Sequence, residues 1–374
     1  MVMAEDQDVA IGSQAAMATV LRILKGAVAA NASDVHLRAD QPPMVRIQGE
    51  LLPLEHPPLE DALLKAAAQS LGAFADVHPD RFRSTKQLEF SCQIPDVGRF
   101  RAHAYRQRGS RALVLRHIPV PVPPMADLRL PPVMKQIAQE RRGLVLVTGA
   151  TGNGKSTTIA ALLEFINETM CKHVVTIENP VEFVFQDNMS SFSQREVGVD
   201  VDSFRQGLEG ALREDPDVIF VGEIRRQDEF DVALNAAESG HLVVSTLHAN
   251  DVMSAISRML YFYPTDQQQG IRARLADAIA AVVSQKLLPT RGGQERVLVT
   301  EVLRRAPTIS DHIRDAARFG GLPKALESSF HEIGTHSFDM KLLGMVRSGV
   351  LSLETAQAAA RSPKDLVRAV KLNR

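Results

Sequence analysis

Two kinds of hydrophobic pattern divide the chain. From Gln14 to Ala30 apolar residues recur at helical spacing, with Met17, Val20, Leu21 and Leu24 on one stripe, which predicts an amphipathic helix. The stretch Pro43–Leu54, "PMVRIQGELLPL", predicts a hairpin around Gln48-Gly49. Lys86–Ile118 alternates apolar and polar residues in the manner of antiparallel strands, with turns at Pro95–Gly98 and at Gly109. Helix and strands together predict a small α+β domain over residues 1–117.

Further along, the period changes. "GLVLVTG", "KHVVTIE", "DVIFVGE" and "HLVVSTLH" are short, nearly continuous apolar runs, as expected of strands buried on both faces of a parallel sheet. Amphipathic helices fall between them. One carries Phe204, Leu208, Ala211 and Leu212 behind a cap at Asp202 or Ser203. Another carries Phe230, Ala233, Leu234 and Ala237 and stops at Gly240. Strands alternating with helices predict a wound α/β core over residues 129–304. From about Arg305 to residue 374 the pattern turns helical, with a Ser337 cap, apolar Phe338, Leu342 and Met345, and a stop at Gly349. The segment 118–128 is rich in proline, which fixes φ and lacks an N–H, so it predicts an extended linker.

Composition narrows the function. The 374 residues are 45% hydrophobic and 23% charged with a net charge of −1, an ordinary globular balance rather than that of a polybasic nucleic-acid binder. Trp is absent and aromatics are 5%, poor material for stacking bases. No apolar run approaches the ~20 residues that span a bilayer. The acidic start, with Glu5, Asp6 and Asp8, does not read as a signal peptide. Cys92 and Cys171 stand far apart, which fits a reducing cytoplasm and supplies no four-thiolate zinc site.

"GATGNGKST", Gly149 to Thr157, matches the phosphate-loop pattern. Its chemistry explains its residues. Gly149, Gly152 and Gly154 let the backbone N–H groups of the loop, from Ala150, Thr151 and Asn153 onward, turn inward around phosphate oxygens. The following helix points its positive end at the anion, Lys155 reaches the β- and γ-phosphates, and Ser156 offers a hydroxyl to Mg²⁺. A Gly-rich turn before a helix would be the plain alternative, but the preceding strand and following helix are the context the motif requires.

Ligands of open α/β sheets bind beyond the carboxyl ends of the strands, and three other strands end in reactive groups. Glu178 ends one, Glu223 follows another, and His241 and His248 bracket a third. Taken singly, an acidic residue after a strand is more often a helix cap, and a lone histidine is more often structural. As a set beside a phosphate loop they predict catalysis: Glu178 and Glu223 as candidates for a metal-holding carboxylate and a base. Arg99, Arg101, Arg106 and Arg108 cluster in the first domain and read either as a solvated strand face or as charge for the γ-phosphate.

With these residues in place, the chain resembles the twitching-motility ATPases, secretion-superfamily hexamers that retract type IV pili. "ASDVHL" with "PPMVRIQGEL" is similar to their N-terminal PAS-like domain, "GATGNGKSTT" to their Walker A, "TIENPVEF" to their aspartate box, and "LREDPDVIFVGEIR" and "GHLVVSTLHAND" to their Walker B and histidine boxes. "SQREVGVDVDSF", "VSQKLLPT" and "SFDMKLLGMVRSGVLS" add to the likeness. The resemblance implies a RecA-like P-loop ATPase core with a parallel-rich sheet, after a PAS-like α+β domain and before a helical C-terminal region. It implies ATP and Mg²⁺ as cofactors, with Ser156 and Glu223 on the metal. Glu178 would be the general base. His241 and His248 would sense the γ-phosphate or link subunits, and Arg99, Arg101 and Arg108 would reach the nucleotide. Its implied partners are a homohexamer, an inner-membrane pilus platform protein and, for an accessory motor, a principal retraction ATPase hexamer. Nucleic acid is not among them. The place implied is the cytoplasm, against the inner membrane at the pilus base.

Two departures stand out. Asn179 replaces the usual Asp of the aspartate box, and "PTISDHIRDAAR" has Ser310 where an arginine is usual while keeping Arg314. The second brings the chain nearer to the accessory, PilU type of retraction ATPase than to the principal PilT type. Competing readings are a pilus-assembly or type II secretion ATPase, a RecA-like nucleic-acid motor, and a nucleotide-gated scaffold that does not hydrolyse.

Overall fold

The computed structural model describes residues 2–47, 49–75, 77–118, 122–293 and 295–372, with the side chains of residues 2–13 and of Arg83 outside the description. Gln48 of the expected hairpin turn and residues 119–121 of the expected linker therefore lie outside the described residues. The chain divides into two compact units, one of Met1–Pro121 with Pro180–Val184, the other of Val122–Asn179 with Phe185–Arg374.

The first unit is built on six strands: β1 (Asp34–Arg38), β2 (Met44–Ile47), β3 (Glu50–Pro53), β4 (Gln87–Ile94), β5 (Gly98–Gln107) and β6 (Ser110–Ile118). They form one antiparallel sheet in the order β3-β2-β1-β6-β5-β4. Alternation sends Val35, Leu37, Phe90, Phe100, Ala102, Leu113 and Leu115 into a core with Val20, Leu24, Leu64 and Leu71 from the helices Val2–Ala29 and Asp61–Ala73. The turn between β5 and β6 places Arg108 at φ 48 and Gly109 at φ 84, the two-residue turn whose twist suits a hairpin.

The second unit holds β7 (Gly143–Thr148), β8 (His173–Glu178), β9 (Ser191–Glu196), β10 (Val218–Val221), β11 (Leu242–Leu247), β12 (Ile279–Pro289) and β13 (Arg296–Arg304). Their order is β13-β12-β7-β11-β10-β8-β9, parallel throughout except for the antiparallel pair of β12 with β13. The central strands are buried on both faces, and period 2 sorts their side chains into two cores. Leu144, Leu146, Val175, Ile177, Ile219, Val221 and Val243 pack with the helices Phe204–Ala211, Gln227–Glu238 and Gln268–Ala278. Val145, Val147, Val174, Val218, Phe220 and Val244 pack against the helix Lys155–Thr169. Ser203, not Asp202, caps Phe204–Ala211, its side chain accepting from Gln206 N–H at 3.2 Å.

Helices follow β13, as the sequence predicts. The Ser337 side chain caps Phe338–Arg347 by accepting from Met340 N–H at 3.2 Å. One buried carboxylate ties this region to the sheet. Glu301 on β13 is 2% exposed and accepts from Val252 N–H at 2.7 Å, in the first turn of the helix Val252–Leu260. It also accepts from the backbone N–H of Phe338, and its burial pushes its pKa up.

Candidate nucleotide site

Four neighbouring parallel strands, β7, β11, β10 and β8, end at one edge of the sheet. Each delivers a sequence-predicted group there: the loop Gly149–Gly154 after β7, His248 after β11, Glu223 after β10, and Glu178 as the last residue of β8. Parallel register makes this possible, because it sets all four carboxyl ends side by side.

The loop's glycines answer to different demands. A Cβ on Gly149 would lie 2.6 Å from the Gln285 carbonyl oxygen, so the close approach of β12 excludes any side chain. Gly154 sits at φ 79 as the N-cap of Lys155–Thr169, a left-handed conformation that a β-carbon would strain. Lys155 Nζ donates to the carbonyls of Gly149 at 3.0 Å and Ala150 at 3.2 Å, which holds the ammonium over the loop. Ala150, Thr151 and Gly152 are exposed, while Asn153, Ser156 and Thr157 are half-buried.

Glu223 is clamped from two sides. Its Oε1 lies 3.1 Å from His248 Nε2, and its Oε2 accepts from Arg225 Nε at 2.7 Å. Hydrogen bonding to this carboxylate raises the pKa of Arg225. Backbone geometry enforces the meeting, since Thr246 Oγ1 donates to the Gly222 carbonyl at 2.6 Å and Ile224 N–H to the Thr246 carbonyl at 3.2 Å. Arg258 steadies the far side by donating to the His248 carbonyl at 2.9 Å.

Glu178 is 6% exposed. Thr176 Oγ1 donates to its Oε1 at 2.8 Å and Gln194 Nε2 at 3.3 Å. The Gln194 amide is itself oriented, because its Oε1 accepts from Phe185 N–H at 2.9 Å. Asn179, the next residue, is exposed, so a charge at that position would be screened by water.

His241 is not brought to this edge. It precedes β11, whereas His248 follows it, and six strand residues at ~3.3 Å each separate them by about 20 Å. Its Nδ1 lies 3.1 Å from the Ala236 carbonyl and 3.2 Å from Ser239 Oγ, at the amino edge of the sheet. The direction of β11 thus sets His241 at the opposite edge of the sheet from its own chain's phosphate loop.

The arginines belong to the first unit. Arg99 and Arg101 alternate with buried Phe100 and Ala102 on β5, so they occupy the face away from that unit's core. Arg99 Nε donates to the Val181 carbonyl at 3.3 Å, and Arg101 Nε to Glu89 Oε1 at 2.5 Å. Arg108 occupies the turn.

Sequence reasoning missed Arg225, Gln194 and Gln285. Arg225 was within reach, two residues beyond Glu223 in a motif already singled out. The two glutamines act through strand pairings that no local signal announces. Among the described residues no group of three or more His, Cys, Asp or Glu could hold a metal. Mg²⁺ takes one or two protein oxygens and completes its shell with phosphate and water. Ser156 and Glu223 are oxygen donors of the right kind. Among the described residues no helix is long and apolar enough to cross a membrane.

A model of the type II/IV secretion system protein family matches residues 10–317. The type IV pilus retractation ATPase PilT of Pseudomonas aeruginosa is 38% identical over 334 residues, 89% of this chain and 96% of its own length. The type IV pilus ATPase PilU of the same organism is 35% identical over 351 residues, 94% of this chain and 91% of its own. The crystal structure of the pilus retraction motor PilT with bound ADP resembles this chain at a TM-score of 0.85 and 40% identity, covering 93% of this chain and 99% of that one.

Proposed function

The chain belongs to the type II/IV secretion system protein family, and on that premise we propose that it is a homohexameric motor whose ATP hydrolysis powers type IV pilus retraction. It is an ATPase of the pilus-retraction branch, and a type II secretion or pilus-assembly role is not favoured. The observation that carries the site reading is the ordered delivery of phosphate loop, His248, Glu223 and Glu178 by four adjacent strands.

In this reading the loop amides and Lys155 bind the phosphates. Mg²⁺ would be held by the Ser156 hydroxyl and the Glu223 carboxylate together with those phosphates, and would neutralise charge there. Glu178 takes the proton of the attacking water. Two donors on its Oε1 fix the plane of the carboxylate, which supports a base with a set direction. His248 reports on the phosphate through its contact with Glu223. Arg99, Arg101 and Arg108 supply positive charge as the γ-phosphate leaves, and His241 serves contacts between subunits. The motor works in the cytoplasm against the inner-membrane platform protein of the pilus.

Identities of 38% and 35% to the two retraction ATPases are too close to rank them. The accessory assignment rests on Pro307–Arg314, where Ser310 Oγ donates to the Ala276 carbonyl at 2.9 Å and Arg314 pairs with Asp277. The test is phosphate release and size analysis of the purified chain, alone and mixed with a principal retraction ATPase, beside deletion in cells. A retractor's loss leaves excess pili; bald cells would refute retraction. Strong retraction by this chain in cells lacking any other retraction ATPase would refute the accessory role. DNA-stimulated hydrolysis would revive a nucleic-acid motor.

A further inference from the structure

Strand β12 outruns its partner. Its parallel pairing with β7 ends at Ser284 opposite Thr148, where β7 gives way to the phosphate loop. Residues Gln285–Pro289 continue, paired on one side with β13, and the loop lies along their other side. Three contacts join the two. The Gln285 carbonyl oxygen passes so near Gly149 that a Cβ there would stand 2.6 Å from it, Gln285 Nε2 donates to the Asn153 carbonyl at 2.7 Å, and Leu287 N–H donates to Asn153 Oδ1 at 3.2 Å. The overhang is held from behind. Lys286 donates to the Ala359 carbonyl at 2.9 Å and sits 4.3 Å over the Phe338 ring, against helices that follow β13.

The Gln285 side chain is fully buried, and its Oε1 meets no donor from the protein. An apolar side chain of the same length would fill that space without stranding an acceptor. What the amide contributes is its bond to the loop, and the bond falls on the carbonyl just before Gly154, the residue that turns the chain into the helix. Fixing that carbonyl fixes the next peptide plane, and so the direction in which the Gly154 N–H points.

We infer that Gln285 is a positioning residue for nucleotide binding: with Asn153 it locks the phosphate loop in the shape that aims its amides, so that little ordering is left to be done when phosphate arrives. The inference rests on the phosphate-site reading above. Because the lock acts on the loop, its effect is blind to the base.

The experiment is nucleotide titration of the purified full chain. Gln285→Met keeps the volume and removes the donor. The ADP dissociation constant should rise about tenfold, as expected for one buried hydrogen bond. GDP should weaken by the same factor. kcat at saturating ATP should stay within about threefold, and the nucleotide-free melting temperature should hold, which a purely structural role would not allow. Asn153→Ala, which keeps the carbonyl that Gln285 holds but removes the acceptor of the Leu287 N–H, should also raise the ADP dissociation constant, and the double variant should lose less than the sum of the two, since both bonds hold the same turn of the loop. Wild-type ADP affinity in both folded single variants, or losses that simply add, would overturn the inference. Lys155→Ala in the same assay separates the two claims. If it still binds ADP tightly, the phosphate site itself is wrong; if it does not and Gln285→Met does, only the lock is.

Discussion

The two edges of the parallel sheet are made by the same strands, yet they differ in how their polar groups are used. At the amino edge they mostly hold backbone. Asp217 takes the Lys172 ammonium at 2.8 Å and the His173 N–H at 3.0 Å, and His241 turns back onto the carbonyl of Ala236. At the carboxyl edge side chain meets side chain beside the phosphate loop. His248 after β11 meets Glu223 after β10, and Gln194 of β9 reaches Glu178 of β8. Backbone differs as well, since among the described residues only the carboxyl edge carries a helix start preceded by glycines at positive φ. An edge whose side chains answer to one another beside a phosphate loop can change state together when a ligand arrives; an edge whose side chains hold backbone serves to close the fold.

The hardest blow to this contrast would come from Lys155→Ala, which should weaken ATP binding roughly 10³-fold, as loss of a buried charge opposite a phosphate does. Calorimetry showing near-normal affinity would remove the carboxyl edge from nucleotide binding. Next in size, Glu178→Gln should leave binding intact and lower kcat by about 10²-fold or more. Equal turnover would favour a scaffold over a motor. A direct comparison of the edges uses two histidines on one strand. His248→Ala should cut kcat about tenfold by unclamping Glu223, whereas His241→Ala should leave nucleotide affinity unchanged and act through assembly, read by size analysis in parallel. Lost nucleotide affinity in the His241 variant, or an unchanged kcat in the His248 variant, would erase the distinction. The smallest effect is expected of Asn179→Asp. Restoring that charge at an exposed position should alter kcat by less than about twofold, because water screens it.

Legibility in the sequence followed the range of the interactions. The strands of the core were readable as continuous apolar runs, and the phosphate loop as a spacing of glycines, because both signals are local. Glu178, Glu223 and His248 could be proposed from position alone, as polar residues at the ends of such runs. The direction of β11 already separates His241 from His248, but only the parallel register shows which edge carries the loop. β9 was not readable. "SFSQRE" lacks apolar alternation, and its place is set by pairing with β8. The β12 overhang was hidden for a similar reason, since Gln285 contacts a residue 132 positions away. The assignment of Pro180–Val184 to the first unit, directly after Glu178 and Asn179, is likewise a product of tertiary packing.

Glu301 has a consequence for how the molecule opens. One carboxylate receives the leading amides of two helices, Val252–Leu260 and Phe338–Arg347, that lie far apart in sequence. Fraying of either helix from its start takes away one of the donors that offset the burial of this carboxylate. Their amide protons should therefore exchange with solvent as one cooperative block, slower than the surface around them.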